Sequence, residues 1–130
     1  MIEPERAQRL IEAATASRAN AVSNRSGFAV GAAIEADDGT IYGGCNVENS
    51  TYGLTVCAER VAIWKALSEG VRKFRAVAVV TGADSPTPPC GACRQILWEF
   101  AGDVPIVSAT LNGARKLYRV SDLLPEPFDF

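Results

Sequence analysis

FRAVAVVTGADSPTPPCGACRQILWEF, residues 74–100, changes character twice. Residues 74–82 form a short apolar run of the kind a sheet buries on both faces, so they read as a central strand. A proline-rich loop follows. From Gly91 onward, Cys93, Ile96, Leu97 and Phe100 fall at i, i+3, i+4 and i+7, the spacing of one helix face. The stretch therefore reads as strand, loop, helix, with Cys90 and Cys93 at the helix's N-terminal end.

The same order recurs upstream. CAERVAIWKALSE (57–69) is rich in helix formers, apolar almost all round between Val61 and Leu67, and followed by Gly70. It reads as a buried helix that begins at Cys57. FAVGAAIEADDGTIYGGCNVE (28–48) reads as two strands around an Asp-Asp-Gly turn. The first segment, 4–22, opens with Pro4 and carries Ala7, Leu10, Ile11, Ala14 and Ala21 at helical spacing, before loop chemistry at SNRSG (23–27). VPIVSAT (104–110) and RKLYRV (115–120) read as further strands, and prolines break the C-terminal LLPEPFDF. Alternating helices and strands imply one α/β layered domain, 1–130, with a mixed sheet of about five strands.

Composition narrows the function classes. The chain has 130 residues, is 48% hydrophobic and carries a net charge of −2. With a pI near 5.1 it has no general electrostatic footprint for nucleic acid or an anionic membrane. No apolar run approaches a bilayer span. The N-terminal MIEPERAQRL lacks the apolar core of a secretory signal, so a cytoplasmic location is expected. There are four cysteines, Cys45, Cys57, Cys90 and Cys93, and no histidine. In a reducing compartment a metal site, a catalytic thiol or plain burial is a better reading than two disulfides.

Helix N-termini favour thiolate over thiol. Cys90-x-x-Cys93 lets two sulfurs close on one ion, and two parallel helices flanking a central strand would bring Cys57 to the same sheet edge. Zinc suits an all-sulfur donor set. Two other readings stand beside this one: a redox dithiol at Cys90 and Cys93, or a closed structural site with Cys45 as fourth ligand. Cys45 otherwise reads as a small buried residue on its strand. With three cysteines, one zinc position stays open for water, and Glu59, two residues after Cys57, is placed as general acid/base. Three thiolates leave the centre formally negative, so Arg60 and Arg94 are expected to hydrogen bond to the sulfurs.

CAE (57–59) with PCGACRQ (89–95) resembles the zinc-dependent cytidine deaminases of the small homotetrameric type, in which cysteine replaces the histidine of the general H-x-E…P-C-x-x-C pattern. SGFAVGAAI, GGCNVENSTYG, SEG and DLLPEPF follow in family order, so the likeness spans nearly the whole chain. The resemblance implies a three-layer α-β-α fold, with Cys57, Cys90 and Cys93 holding one zinc per subunit and Glu59 moving the proton. It implies that Asn46 and Glu48 hold the sugar hydroxyls. On a strand these two residues point to one side. By the same resemblance Phe28 packs on the pyrimidine, the Ala58 backbone meets the base edge, and Tyr52 and Phe128 reach neighbouring subunits' sites.

The implied reaction is hydrolytic deamination of cytidine and deoxycytidine in pyrimidine salvage, with no nucleic-acid or membrane partner. One stretch departs: Asn24-Arg25-Ser26 stands where the family commonly has Pro-Tyr-Ser. The rival within the same chemistry is a blasticidin-S-type deaminase. The rival from another class is a structural zinc module.

Overall fold

The computed structural model describes residues 2–129. Helix α1 (Pro4–Arg18) leads into strand β1 (Val30–Ala36) and strand β2 (Ile41–Cys45). A 3-10 turn (Tyr52–Leu54) precedes helix α2 (Ala58–Ser68) and strand β3 (Phe74–Thr81). Helix α3 (Gly91–Ala101), strands β4 (Pro105–Thr110) and β5 (Arg115–Arg119) and the short helix α4 (Val120–Leu123) complete the chain. The five strands lie in the order β2-β1-β3-β4-β5. Only β3 and β4 pair parallel; the other neighbours are antiparallel. The sheet is mixed, as the alternating pattern predicts.

Strand alternation divides the core into two layers. Ala33, Ala76, Ala78, Val80, Val107 and Ala109 face Leu10, Ile11 and Ala14 of α1. Ala32, Ile34, Val77, Val79 and Ile106 face the opposite way, against Ala62, Ile63 and Ala66 of α2 and Leu97 of α3. Helices on both faces make three layers, α-β-α, and the expected fold is borne out.

Two glycines set how closely the helices approach. A Cβ on Gly31 would sit 1.9 Å from the Ala14 carbonyl oxygen, so α1 lies directly on β1. A Cβ on Gly44 would sit 2.6 Å from both Ala58 O and Ala62 N, so the first turn of α2 rests on β2. That contact positions the start of α2, where Cys57 lies.

Three boundaries differ from the sequence expectation. Helix α1 stops at Arg18 rather than running to 22. Val22 is drawn into an isolated parallel bridge with Val47, its N–H donating to Asn46 O and its carbonyl accepting from Glu48 N. Strand β2 ends at Cys45, so Asn46 and Glu48 lie beyond it. They flank Val47, which bridges both Val22 and Val56, and the extended backbone keeps their alternation. Residues 120–123 form α4 instead of extending β5, because Asp122 accepts from Arg119 N and Asp103 accepts from Ser121 N and Oγ. Among the described residues no helix is long and apolar enough to cross a membrane.

The α1 face also buries an acid. Glu35, at a register shift in β1, is fully buried. Arg6 Nε lies 3.0 Å from it, and Arg9 and Arg75 lie 3.8 Å away. Removing one partner of a buried ion cluster is destabilising. Glu35→Gln is expected to lower unfolding free energy by about 2 kcal/mol, the arginines' access to water moderating the loss. Urea titration checks this, and an unshifted midpoint would show that the cluster does not hold β1.

Candidate active site

The two cysteine motifs sit at two helix starts. Cys57 is the N-cap of α2 and Cys90 the N-cap of α3, both with extended backbone and neither using its side chain as a cap. Their carbonyls accept the first helical bonds from Val61 N and Arg94 N, leaving the sulfurs free to point outward. Cys93 lies buried in the first turn of α3. The three sulfurs fall within 4.8 Å of one another, with Cys57 and Cys90 3.8 Å apart and Cys90 and Cys93 3.4 Å apart. Among the described residues this is the one cluster of its kind, and Cys45 is outside it. Cys45 is half-buried at the end of β2, not fully buried as its strand position suggests. A closed four-cysteine site therefore lacks its fourth ligand.

Charge is unevenly shared in the cluster. Hydrogen bonding from Cys93, then from Arg60, holds the Cys57 thiol down to about 5. Arg60 Nη2 lies 3.1 Å from Cys57 Sγ, and the guanidinium carbon is 6.0 Å from the Trp64 ring centroid. Donation to Cys57 and burial push the Cys93 thiol well up. The cluster thus takes one negative charge readily and resists more. A divalent cation held by the three sulfurs would stabilise further thiolate charge, and zinc fits such a donor set.

Glu59 is the second residue of α2 and only 6% exposed. Burial holds its carboxyl up to about 7, with the Cys57 charge adding to the effect. A carboxyl poised near neutrality beside a metal site can both accept and return a proton.

Above the cluster opens a cavity of about 290 Å³ whose lining includes Phe28, Asn46, Glu48, Ala58, Glu59 and Cys90. Phe28 is 41% exposed and lines this cavity. Asn46 fixes the entry to β1: its Oδ1 accepts from Val30 N and its Nδ2 donates to Phe28 O, each at 2.9 Å. Glu48 accepts from Arg25 N at 2.8 Å and Ser26 N at 3.0 Å. Tyr52 is 73% exposed and lies outside this cavity, and Phe128 also lies outside it, its main chain held by both ends of the Gln95 amide.

Arg94 corrects an expectation. Its Nε donates to Pro89 O at 2.7 Å and its Nη1 to Leu123 O at 2.9 Å, so it fastens the loop before Cys90 to α4 and does not bond a sulfur. The helical turn from Cys90 carries the side chain backward along the helix, toward those carbonyls. Sequence reasoning passed over Thr81 and Thr87, which also line the cavity, their hydroxyls 3.3 Å apart. The C-terminal end of β3 was the available signal, since α/β sheets bind ligands at strand C-termini.

Chemically, a cluster of three sulfurs that could hold a metal ion shares a small cleft with a buried carboxyl. Comparison with known proteins gives the same class. Residues 4–109 match the family described as the cytidine and deoxycytidylate deaminase zinc-binding region. A cytidine deaminase of Sporosarcina psychrophila is 48% identical over 122 residues, covering 93% of this chain and 90% of that one. The crystal structure of a cytidine deaminase from Burkholderia pseudomallei superposes with a TM-score of 0.90 at 44% identity, over 93% of this chain and 98% of that one. A blasticidin-S deaminase of Bacillus cereus is more distant, 32% identical over 104 residues and 74% of each chain. The chain belongs to the cytidine and deoxycytidylate deaminase family.

Cys45→Ser is expected to leave zinc content unchanged, whereas Cys93→Ser should lose most of it. Metal analysis of the purified variants distinguishes them. Loss of zinc from the Cys45 variant would return the closed structural site.

Proposed function

We propose that this chain deaminates cytidine and deoxycytidine to uridine and deoxyuridine, releasing ammonia. The observation that carries this reading is the buried Glu59, which lines one cavity together with Cys57, Cys90, Asn46 and Glu48. Cys57, Cys90 and Cys93 would hold one zinc ion. When bound, zinc supplies the Lewis acidity that brings a water's pKa toward neutrality.

The chain's own groups do the rest. Glu59 takes a proton from water and delivers it to N3 of the base while the water oxygen adds at C4. The second water proton returns through the same carboxylate to the leaving amine, so water and cytidine balance uridine and ammonia. Phe28 covers the ring, the Ala58 main chain meets the base edge, and Asn46 and Glu48 receive the sugar hydroxyls. Arg60 keeps the Cys57 sulfur ionised. Arg94 supports Cys90 through the Pro89 carbonyl.

A homotetramer of single-domain chains follows from the family resemblance, and the exposed rings of Tyr52 and Phe128 are compatible with reaching a neighbouring subunit. A cytoplasmic salvage role fits this small-molecule chemistry, and neither nucleic acid nor membrane is a partner.

Identities of 48% to a cytidine deaminase and 32% to a blasticidin-S deaminase favour cytidine over the rival nucleoside. Ammonia release should be fast from cytidine and deoxycytidine and slow from blasticidin S. The reverse order would transfer the assignment. Glu59→Gln should keep its zinc yet lose about 10³-fold in kcat, the size of a general acid–base contribution. Near-normal turnover in that variant would remove Glu59 from the mechanism.

A further inference from the structure

A second hollow of about 590 Å³ is lined by Val22, Asn24, Arg25, Glu48, Ser50 and Tyr52. Glu48 is the wall common to both spaces. The reaction described above leaves Arg25 without a role.

The 23–27 segment is a turn closed by Gly27 N–H to Ser23 O at 2.8 Å. It aims two successive main-chain donors, Arg25 N and Ser26 N, at Glu48 Oε1, while the Ser26 hydroxyl donates to Oε2. An ionised carboxylate has about four acceptor positions. Three are filled from the chain itself, and the one left open lies on Oε2. These donors, the Ser26 side chain first, hold the carboxyl below its usual range, so it stays an acceptor. A ligand therefore meets Glu48 as a receptor for a single hydroxyl arriving from one side.

What holds that turn in place is the Arg25 side chain. Its Nη2 donates to Ser50 Oγ at 2.8 Å, and its guanidinium carbon lies 5.7 Å from the Tyr52 ring centroid. Ser50 and Tyr52 follow Glu48 by two and four positions. Arg25 thus grips the same segment that carries the carboxylate, once through its main chain and twice through its side chain. We propose that Arg25 is a positioning residue, tying the 23–27 turn to segment 48–52 so that Glu48 offers its one open acceptor to a sugar hydroxyl in a fixed direction. It acts through Glu48 and does not touch the substrate. The inference rests on the nucleoside reading of the site.

The test is steady-state kinetics of Arg25→Ala, Arg25→Lys and Ser50→Ala with cytidine, 2′-deoxycytidine and 3′-deoxycytidine. Loss of one hydrogen bond and one cation–π contact is expected to raise the Arg25→Ala KM for cytidine about tenfold, with kcat within about twofold. Ser50→Ala should raise KM by less, and Arg25→Lys should recover most of the loss. The Arg25→Ala penalty should vanish on whichever deoxynucleoside lacks the hydroxyl that Glu48 receives. An unchanged KM, or an equal penalty on all three nucleosides, would overturn the proposal. If the unaltered enzyme turns over none of them, the nucleoside reading fails and takes this inference with it; turnover by the unaltered enzyme isolates the question to Arg25.

Discussion

Holding three sulfurs within 4.8 Å of one another, when they come from two helices, constrains most of this fold. Both helices must begin at one edge of the sheet, with their first turns close together. The chain satisfies this by seating α2 on the bare backbone of Gly44 and by starting α3 after the loop that leaves β3. The parallel pairing of β3 with β4 then returns α3 across the same face that α2 covers. Because Cys57 and Cys90 are extended N-caps and not helical residues, their sulfurs lean past the helix ends toward each other.

The same arrangement sets a buried acid and an arginine side by side on the first turn of α2. Glu59 follows Cys57 by two residues, close enough to feel its charge and buried enough to hold its proton near neutral pH. Arg60, one residue on, turns the other way and binds the Cys57 sulfur. Three side chains within the four residues 57–60, those of Cys57, Glu59 and Arg60, therefore bring a sulfur, a buried carboxyl and a guanidinium together. In the same cleft, Asn46 and Glu48 are fixed by main-chain groups of the segments they face, so neither has to be ordered by the ligand. Preorganisation of this kind reduces what binding loses to ordering.

Much of this was legible before the structure. The i, i+3, i+4, i+7 spacing after Cys90 and the apolar run at 74–82 gave α3 and β3, and the C-x-x-C and C-x-E spacings gave the sulfur cluster and its acid. What periodicity could not supply were pairings set by distant partners. Ala21 continues the helical pattern of α1, but Val22 is claimed by Val47 and the helix ends early. Arg94 looked like a sulfur partner from its place in the motif; its carbonyl acceptor on Leu123 is 29 residues away. Asn46 and Glu48 kept their shared side although β2 stops before them, since the bridges at Val47 preserve extended backbone. Thr81 and Thr87 carry no spacing signal, and only the place of Thr81 at the C-terminal end of β3 points to the cleft.

The central claim is that three sulfurs, and not four, hold the metal, leaving one position for chemistry. X-ray absorption at the zinc edge of the purified, zinc-loaded protein measures that directly. The account predicts three sulfur scatterers at about 2.3 Å and one lighter scatterer at about 2.0 Å. Four sulfur scatterers would contradict it, closing the site and making the metal structural.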